Sequence, residues 1–121
     1  MTDKKYKIAI VGSGPGGYVA AIRAGQLGAD TVLIEKEALG GTCLNWGCIP
    51  TKSFVRSAEL FADIKDAKSF GIKVENAEVD FPAVVRRKDK IVTRLVKGIE
   101  HLIKRNDIER INGTASFIDK N

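Results

Sequence analysis

Lys7-Ile8-Ala9-Ile10-Val11-Gly12-Ser13-Gly14-Pro15-Gly16-Gly17-Tyr18 is the stretch on which the fold turns. Its first five residues form a short apolar, β-branched run, the mark of a strand buried on both faces. Glycines at 12, 14, 16 and 17 follow, and residues 18–27 then read as a helix rich in small side chains, with Gly28 as its stop. Residues 31–34 form a second buried strand that ends on Glu35. The order strand, glycine turn, helix, strand is a βαβ unit, right-handed by the general rule. The fold class is therefore α/β with a parallel sheet.

The glycines match G-x-G-x-x-G, a weak pattern alone that gains force from a buried strand before it, a helix after it and an acid at the next strand's end. Each part has a physical task. Gly12 permits the tight turn, Gly14 lets backbone approach a pyrophosphate, and Gly17 allows helix and strand to pack closely. The free N–H groups of the helix start face the phosphates. Glu35 would accept a hydrogen bond from a ribose 2′-hydroxyl and repel a 2′-phosphate, which favours FAD or NAD over NADP. A ligand-free glycine turn is the bland reading, and it leaves the register of Glu35 unexplained. FAD and NAD are not separated by this motif.

Downstream lies Gly40-Gly41-Thr42-Cys43-Leu44-Asn45-Trp46-Gly47-Cys48-Ile49-Pro50-Thr51-Lys52. Residues 43–64 look helical, with Asn45, Gly47 and Pro50 disturbing the start. Residues five apart on a regular helix have Cα atoms ~8.6 Å apart, whereas a disulfide needs less than ~7 Å. Cys43 and Cys48 bridge only if the helix start is distorted, and Asn45 and Gly47 supply that freedom. So small a loop constrains the unfolded chain little, so its bridge is a poor stabiliser and fits a working redox pair. Two unrelated thiols would leave Gly47 unexplained. Zinc needs four ligands, and the remaining candidate is the distant His101. Lys52, one turn after Cys48, would favour thiolate; an exposed lysine is the plain alternative.

The rest of the chain frames these motifs. Residues 71–80 read as a loop with a short extended piece. Residues 81–105 carry apolar side chains at helical spacing, with Pro82 in the first turn. Residues 108–111 form a third strand, Asn112-Gly113 a turn, and residues 114–118 the opening of a hairpin.

At 121 residues the chain is about one small domain, and 44% apolar with 29% charged residues is a globular rather than a disordered balance. No run approaches the ~18 apolar residues of a membrane span. The short polar start leaves no room for a leader, so a cytoplasmic chain is expected. The net charge of +5 raises nucleic acid as a partner. Most of the excess lies between Arg86 and Arg105, without interleaved stacking aromatics, and a solvated helix face explains it at least as well. Neither nucleic acid nor membrane is an expected partner.

Together, G-G-T-C-L-N-W-G-C-I-P-T-K at 40–52, V-G-S-G-P-G-G at 11–17 and the acidic strand end closely resemble the pyridine nucleotide–disulfide oxidoreductases. The likeness covers essentially the whole chain, and Thr51 before Lys52 looks more like the lipoamide branch. It implies a partial Rossmann-like, doubly wound FAD-binding domain over residues 1–121, truncated before its last strand. That strand, with its Ala-Thr-Gly signature, would pair on the outer side of residues 7–11. The NAD-binding and dimerisation domains would be absent, and the chain alone inactive.

By position, the resemblance implies that Cys43 is the interchange thiol and that Cys48 lies against the flavin, forms the charge-transfer complex and passes electrons to it. Lys52 would sit near the flavin N5. Gly12, Ser13, Gly14, Pro15, Gly16 and Gly17 would bind the pyrophosphate, Glu35 with Lys36 the adenosine end, Gly40, Gly41 and Thr42 the middle of FAD, and Ala115 the adenine. The reaction implied takes dihydrolipoamide and NAD+ to lipoamide and NADH. The family's base is a histidine of the other subunit's carboxy-terminal domain; His101 reads as a surface residue. Implied partners are a second copy, as a homodimer, and the lipoyl-bearing acyltransferase of a 2-oxo acid dehydrogenase or glycine cleavage complex. A glutathione- or mercury-type reductase, or a free-standing flavin- or nucleotide-binding module, are the alternatives.

Overall fold

The computed structural model describes residues 4–119. Residues 1–3, on which the expectation of a leaderless start partly rests, lie outside them. The elements run β1 (Ile8–Val11), α1 (Pro15–Gln26), β2 (Thr31–Glu35), α2 (Gly41–Asn45), α3 (Cys48–Asp66), a 3₁₀ turn (Ala67–Phe70), α4 (Phe81–Arg105) and β3 (Glu109–Asn112). The sheet is parallel in the order β1-β2-β3, with Ile10 opposite Leu33, and Leu33 opposite Arg110. An α/β unit with a parallel sheet is thus what these residues form.

β2 is the central strand and is buried along most of its length, as its apolar run requires. β1 departs from expectation: Ile8 is 38% and Val11 63% exposed. Among the described residues β1 pairs with β2 alone, so one edge and much of one face are left uncovered. The third strand begins one residue later than expected, and all four of its residues are exposed. Its neighbour Ile108 does the packing instead, at 6% exposure.

α1 starts three residues earlier than its small-residue run indicated, because Pro15 fits a first helical turn. It stops at Gly28, whose φ is +76°. There Gly28 N–H donates to Gly25 O and Ala29 N–H to Ala24 O, pairing two of the carbonyls that the helix end leaves free. α4 has the expected bounds. Asp80 accepts from Ala83 N–H at 2.9 Å as its N-cap, and Pro82 lies in the first turn. Ile99 and Ile103 of α4 join Ala21 of α1, Leu33 of β2, Leu39, Leu44 and Ile108 in one core. α1 and the end of α4 thereby pack against the sheet in one core.

Two local expectations fail. Residues 114–118 open no hairpin, since Phe117 and Ile118 are 97% and 99% exposed and no described segment pairs with them. Residues 71–80 contain no extended element; the chain leaves α3 through the 3₁₀ turn and runs irregularly to Asp80.

Candidate functional site

The carboxyl ends of all three strands converge, the place where open α/β sheets bind ligands. Gly12 follows β1 and donates its N–H to Ile34 O at 2.8 Å. Gly17 explains the tightness of this turn: a Cβ there would lie 1.8 Å from Gly12 O. No side chain caps α1, and its first backbone bond runs from Tyr18 N–H to Gly14 O. The Gly16 and Gly17 N–H groups are therefore left for a ligand, with the positive end of the helix dipole behind them. A Cβ at Gly12, Gly14 or Gly16 would meet nothing within 4 Å, so this side of the turn is open to a pyrophosphate.

Glu35 ends β2 and is only 8% exposed. Its Oε2 accepts from Ser13 N–H at 2.8 Å and Ser13 Oγ–H at 2.6 Å, and its Oε1 from Glu37 N–H at 2.9 Å. The Ser13 hydroxyl contributes most to holding the carboxyl at about 2, followed by Glu37 N–H; desolvation works against them. Glu35 is thus a fixed anion beside the turn. Lys36 next to it is exposed. Gly113 N–H donates to Glu35 O at 3.0 Å, which brings half-buried Ala115 to the same end of the sheet.

The second glycine pair is tied to the first. Gly40 N–H donates to both Ser13 O (3.1 Å) and Ser13 Oγ (3.2 Å). A Cβ on Gly41 would lie 2.8 Å from Gly14 Cα. Asn45 then clamps the loop from the far end of α2, donating to Leu39 O at 3.0 Å and Gly41 O at 2.9 Å. The sequence marks Asn45 as loosening the helix start and not as a clamp; its four-residue spacing from Gly41 is the available signal. Thr42 is exposed, and its carbonyl accepts from Trp46 N–H.

The helix expected over residues 43–64 is two helices. It breaks at Trp46 and Gly47, between the cysteines, which supplies the distortion that a Cys43–Cys48 approach requires. A Cβ on Gly47 would lie 3.0 Å from Thr42 O and 3.3 Å from Cys43 Cα, so glycine lets the second helix start against the first. Both cysteines are thiols, Cys43 half-buried and Cys48 exposed. Their hydrogen bond is the main cause that pushes the Cys43 thiol up, aided by desolvation; the Lys52 ammonium pulls it down by a smaller amount. The thiols and Lys52 therefore share one electrostatic environment. Lys52 itself is exposed on α3.

Other features do not compete. A cavity of about 690 Å³ between α3 and the start of α4 is lined by Phe54, Leu60, Phe61, Ile64, Val79 and Phe81, and by no residue of the glycine turn or the cysteine pair. His101 is exposed, as expected for a surface residue. Among the described residues no three His, Cys, Asp or Glu side chains could hold a metal. No described helix is long and apolar enough to cross a membrane.

A glycine turn, a ribose-competent carboxylate and a vicinal dithiol on one sheet end define a class, and comparison with known proteins agrees with it. Residues 6–121 match the family model for pyridine nucleotide-disulphide oxidoreductases, and the chain belongs to that family. Within the family it is most like the dihydrolipoyl dehydrogenases. It is 50% identical to that of Acholeplasma laidlawii over 98% of this chain and 36% of the relative. It is 48% identical to that of Bacillus subtilis over 93% of this chain and 25% of the relative. The HOCl-induced flavoprotein disulfide reductase of Escherichia coli, solved as a Cu(II) complex, superposes with a TM-score of 0.74 at 30% identity, over 93% of this chain and 23% of the other. The chain thus spans about a quarter to a third of the length of these proteins.

Proposed function

We propose that this chain is the FAD-binding, dithiol-bearing part of a dihydrolipoamide dehydrogenase, working in the cytoplasm as a homodimer on the lipoyl-bearing acyltransferase of a 2-oxo acid dehydrogenase or glycine cleavage complex. The observation that carries the reading is the break between α2 and α3 at Trp46 and Gly47, which brings two thiols together within the field of Lys52, beside the loop tied to the glycine turn. The relatives' shared name supports the substrate. FAD, when bound, would supply the electron acceptor between the cysteine pair and NAD+.

The chain's own residues then divide the work. Gly16 and Gly17 N–H groups bind the pyrophosphate, and Glu35 with Lys36 binds the adenosine end, with Ala115 backing the adenine. Ser13 and Pro15 shape the turn, and Gly40, Gly41 and Thr42 line the middle of the cofactor. In the oxidised protein Cys43 and Cys48 form a disulfide. One dihydrolipoamide sulfur attacks Cys43 Sγ, the Cys43–Cys48 bond breaks, and Cys48 leaves as thiolate. The second substrate sulfur displaces Cys43, closing the lipoamide disulfide and leaving two electrons on the cysteine pair. The first attacking substrate thiol gives its proton to a base supplied by the partner subunit, and the second gives its proton to the displaced Cys43, whose pKa is raised by Cys48 and by desolvation. Lys52 steadies the developing thiolate.

Cys43→Ser and Cys48→Ser in the complete holoenzyme test this. Each is expected to keep its FAD while NAD+ reduction by dihydrolipoamide falls by about 10³-fold or more, as for loss of a covalent-catalysis residue. Turnover near wild type in either variant overturns the reading.

A further inference from the structure

We infer that Ser13 is a positioning residue for the ribose of the bound nucleotide, presenting Glu35 to one ribose hydroxyl rather than contacting the ligand itself. This rests on the nucleotide reading above and extends it.

Ser13 is fully buried, and its hydroxyl donates to Glu35 Oε2 at 2.6 Å while its own N–H donates to the same oxygen at 2.8 Å. A carboxylate oxygen has two lone pairs, so Oε2 is saturated. Glu37 N–H takes one lone pair of Oε1. The lone pair that these three bonds leave is on Oε1, and they fix the plane in which it points; the Lys36 N–H also favours the charged carboxyl, as the smallest of the four hydrogen-bonding causes. Ala38 O lies 3.4 Å from Ser13 Oγ, but the single hydroxyl proton is committed to the shorter, charge-assisted bond.

Two roles of Ser13 can be separated. Gly40 N–H reaches both the Oγ and the main-chain O of Ser13. Removing the hydroxyl therefore leaves the loop tied through backbone. It does not leave the carboxylate tied, because Oε2 keeps one donor and the group gains freedom to turn. The side chain's particular contribution is to Glu35, and the ligand atom that Glu35 faces is a ribose hydroxyl.

The test measures affinities of full-length, flavin-stripped protein for ADP and 2′-deoxy-ADP by calorimetry, in wild type, S13A and S13T. Wild type is expected to prefer ADP by about tenfold, the worth of one hydrogen bond to a charged group. In S13A that ratio is expected to fall towards one through weaker ADP binding, with 2′-deoxy-ADP affinity nearly unchanged; S13T is expected to restore it. If S13A does not fold, S13G, which keeps the backbone donor, is read the same way. An S13A protein that binds both ligands more weakly but keeps the wild-type ratio makes Ser13 merely structural and overturns the inference. A wild type that does not distinguish the two ligands instead removes the ribose role of Glu35, and the inference with it.

Discussion

Glu35 shows how much a single residue can carry. With its carboxyl at about 2 in the folded chain against an ordinary 4.5, the folded state favours the anion. The stabilisation is fully present above the unfolded value and is lost as pH falls from about 4.5 through about 2. Linkage makes it up to about 3 kcal/mol. E35Q is therefore expected to lower stability at neutral pH by about 1–3 kcal/mol and to flatten the loss of stability below pH 4.5. Denaturant titrations across that range check it, and parallel curves for both proteins would contradict it. The position of Glu35 was legible in the sequence, because an acid ending the second strand of a βαβ unit has few other places to go. Its partners were not. Ser13 and Glu37 meet it only once the turn has folded, and no spacing rule encodes which way a turn hydroxyl points.

Among the elements, the junction of α2 and α3 matters most. Sequence reading saw that a regular helix separates the cysteines too far, and that Gly47 and Asn45 offered a remedy. It placed one distorted helix where there are two, since a break of two residues is invisible to apolar periodicity. Gly47→Ala probes the junction. The added Cβ falls 3.0 Å from Thr42 O and 3.3 Å from Cys43 Cα, both backbone, so α2 must give way. The expected result is a loss of about 1 kcal/mol in stability and Cys43–Cys48 bridge formation slowed by about tenfold or more, because misplaced sulfurs react poorly. An unchanged rate with an oxidised dithiol reagent would contradict this role. α4 was legible to the residue, its long amphipathic pattern and Pro82 in the first turn marking where it starts, while the Asp80 cap is visible only in the structure. The hairpin over residues 114–118 was not, since Phe117 and Ile118 make a strand-like pattern with no described partner.

For the whole molecule, the parallel pairing of β1 with β2 followed from the βαβ order, and β3 adds on the other side of β2. Burial did not follow, because the exposure of Val11 and Ile111 depends on what covers the sheet rather than on its strands. The topology also sets the function. It brings the glycine turn, Glu35 and Asn112-Gly113 to one end, and the Gly40–Ser13 bonds tie the dithiol helices to that end. The central claim is that the two thiols beside this glycine turn exchange electrons with a dithiol substrate. Peptide mapping of the air-oxidised holoenzyme, alkylated before and after anaerobic dihydrolipoamide, tests it most directly. The account predicts a Cys43–Cys48 disulfide that resists alkylation at first and yields two alkylated cysteines after the substrate is added. Two cysteines that alkylate fully in the oxidised protein, with no change on adding dihydrolipoamide, would contradict it.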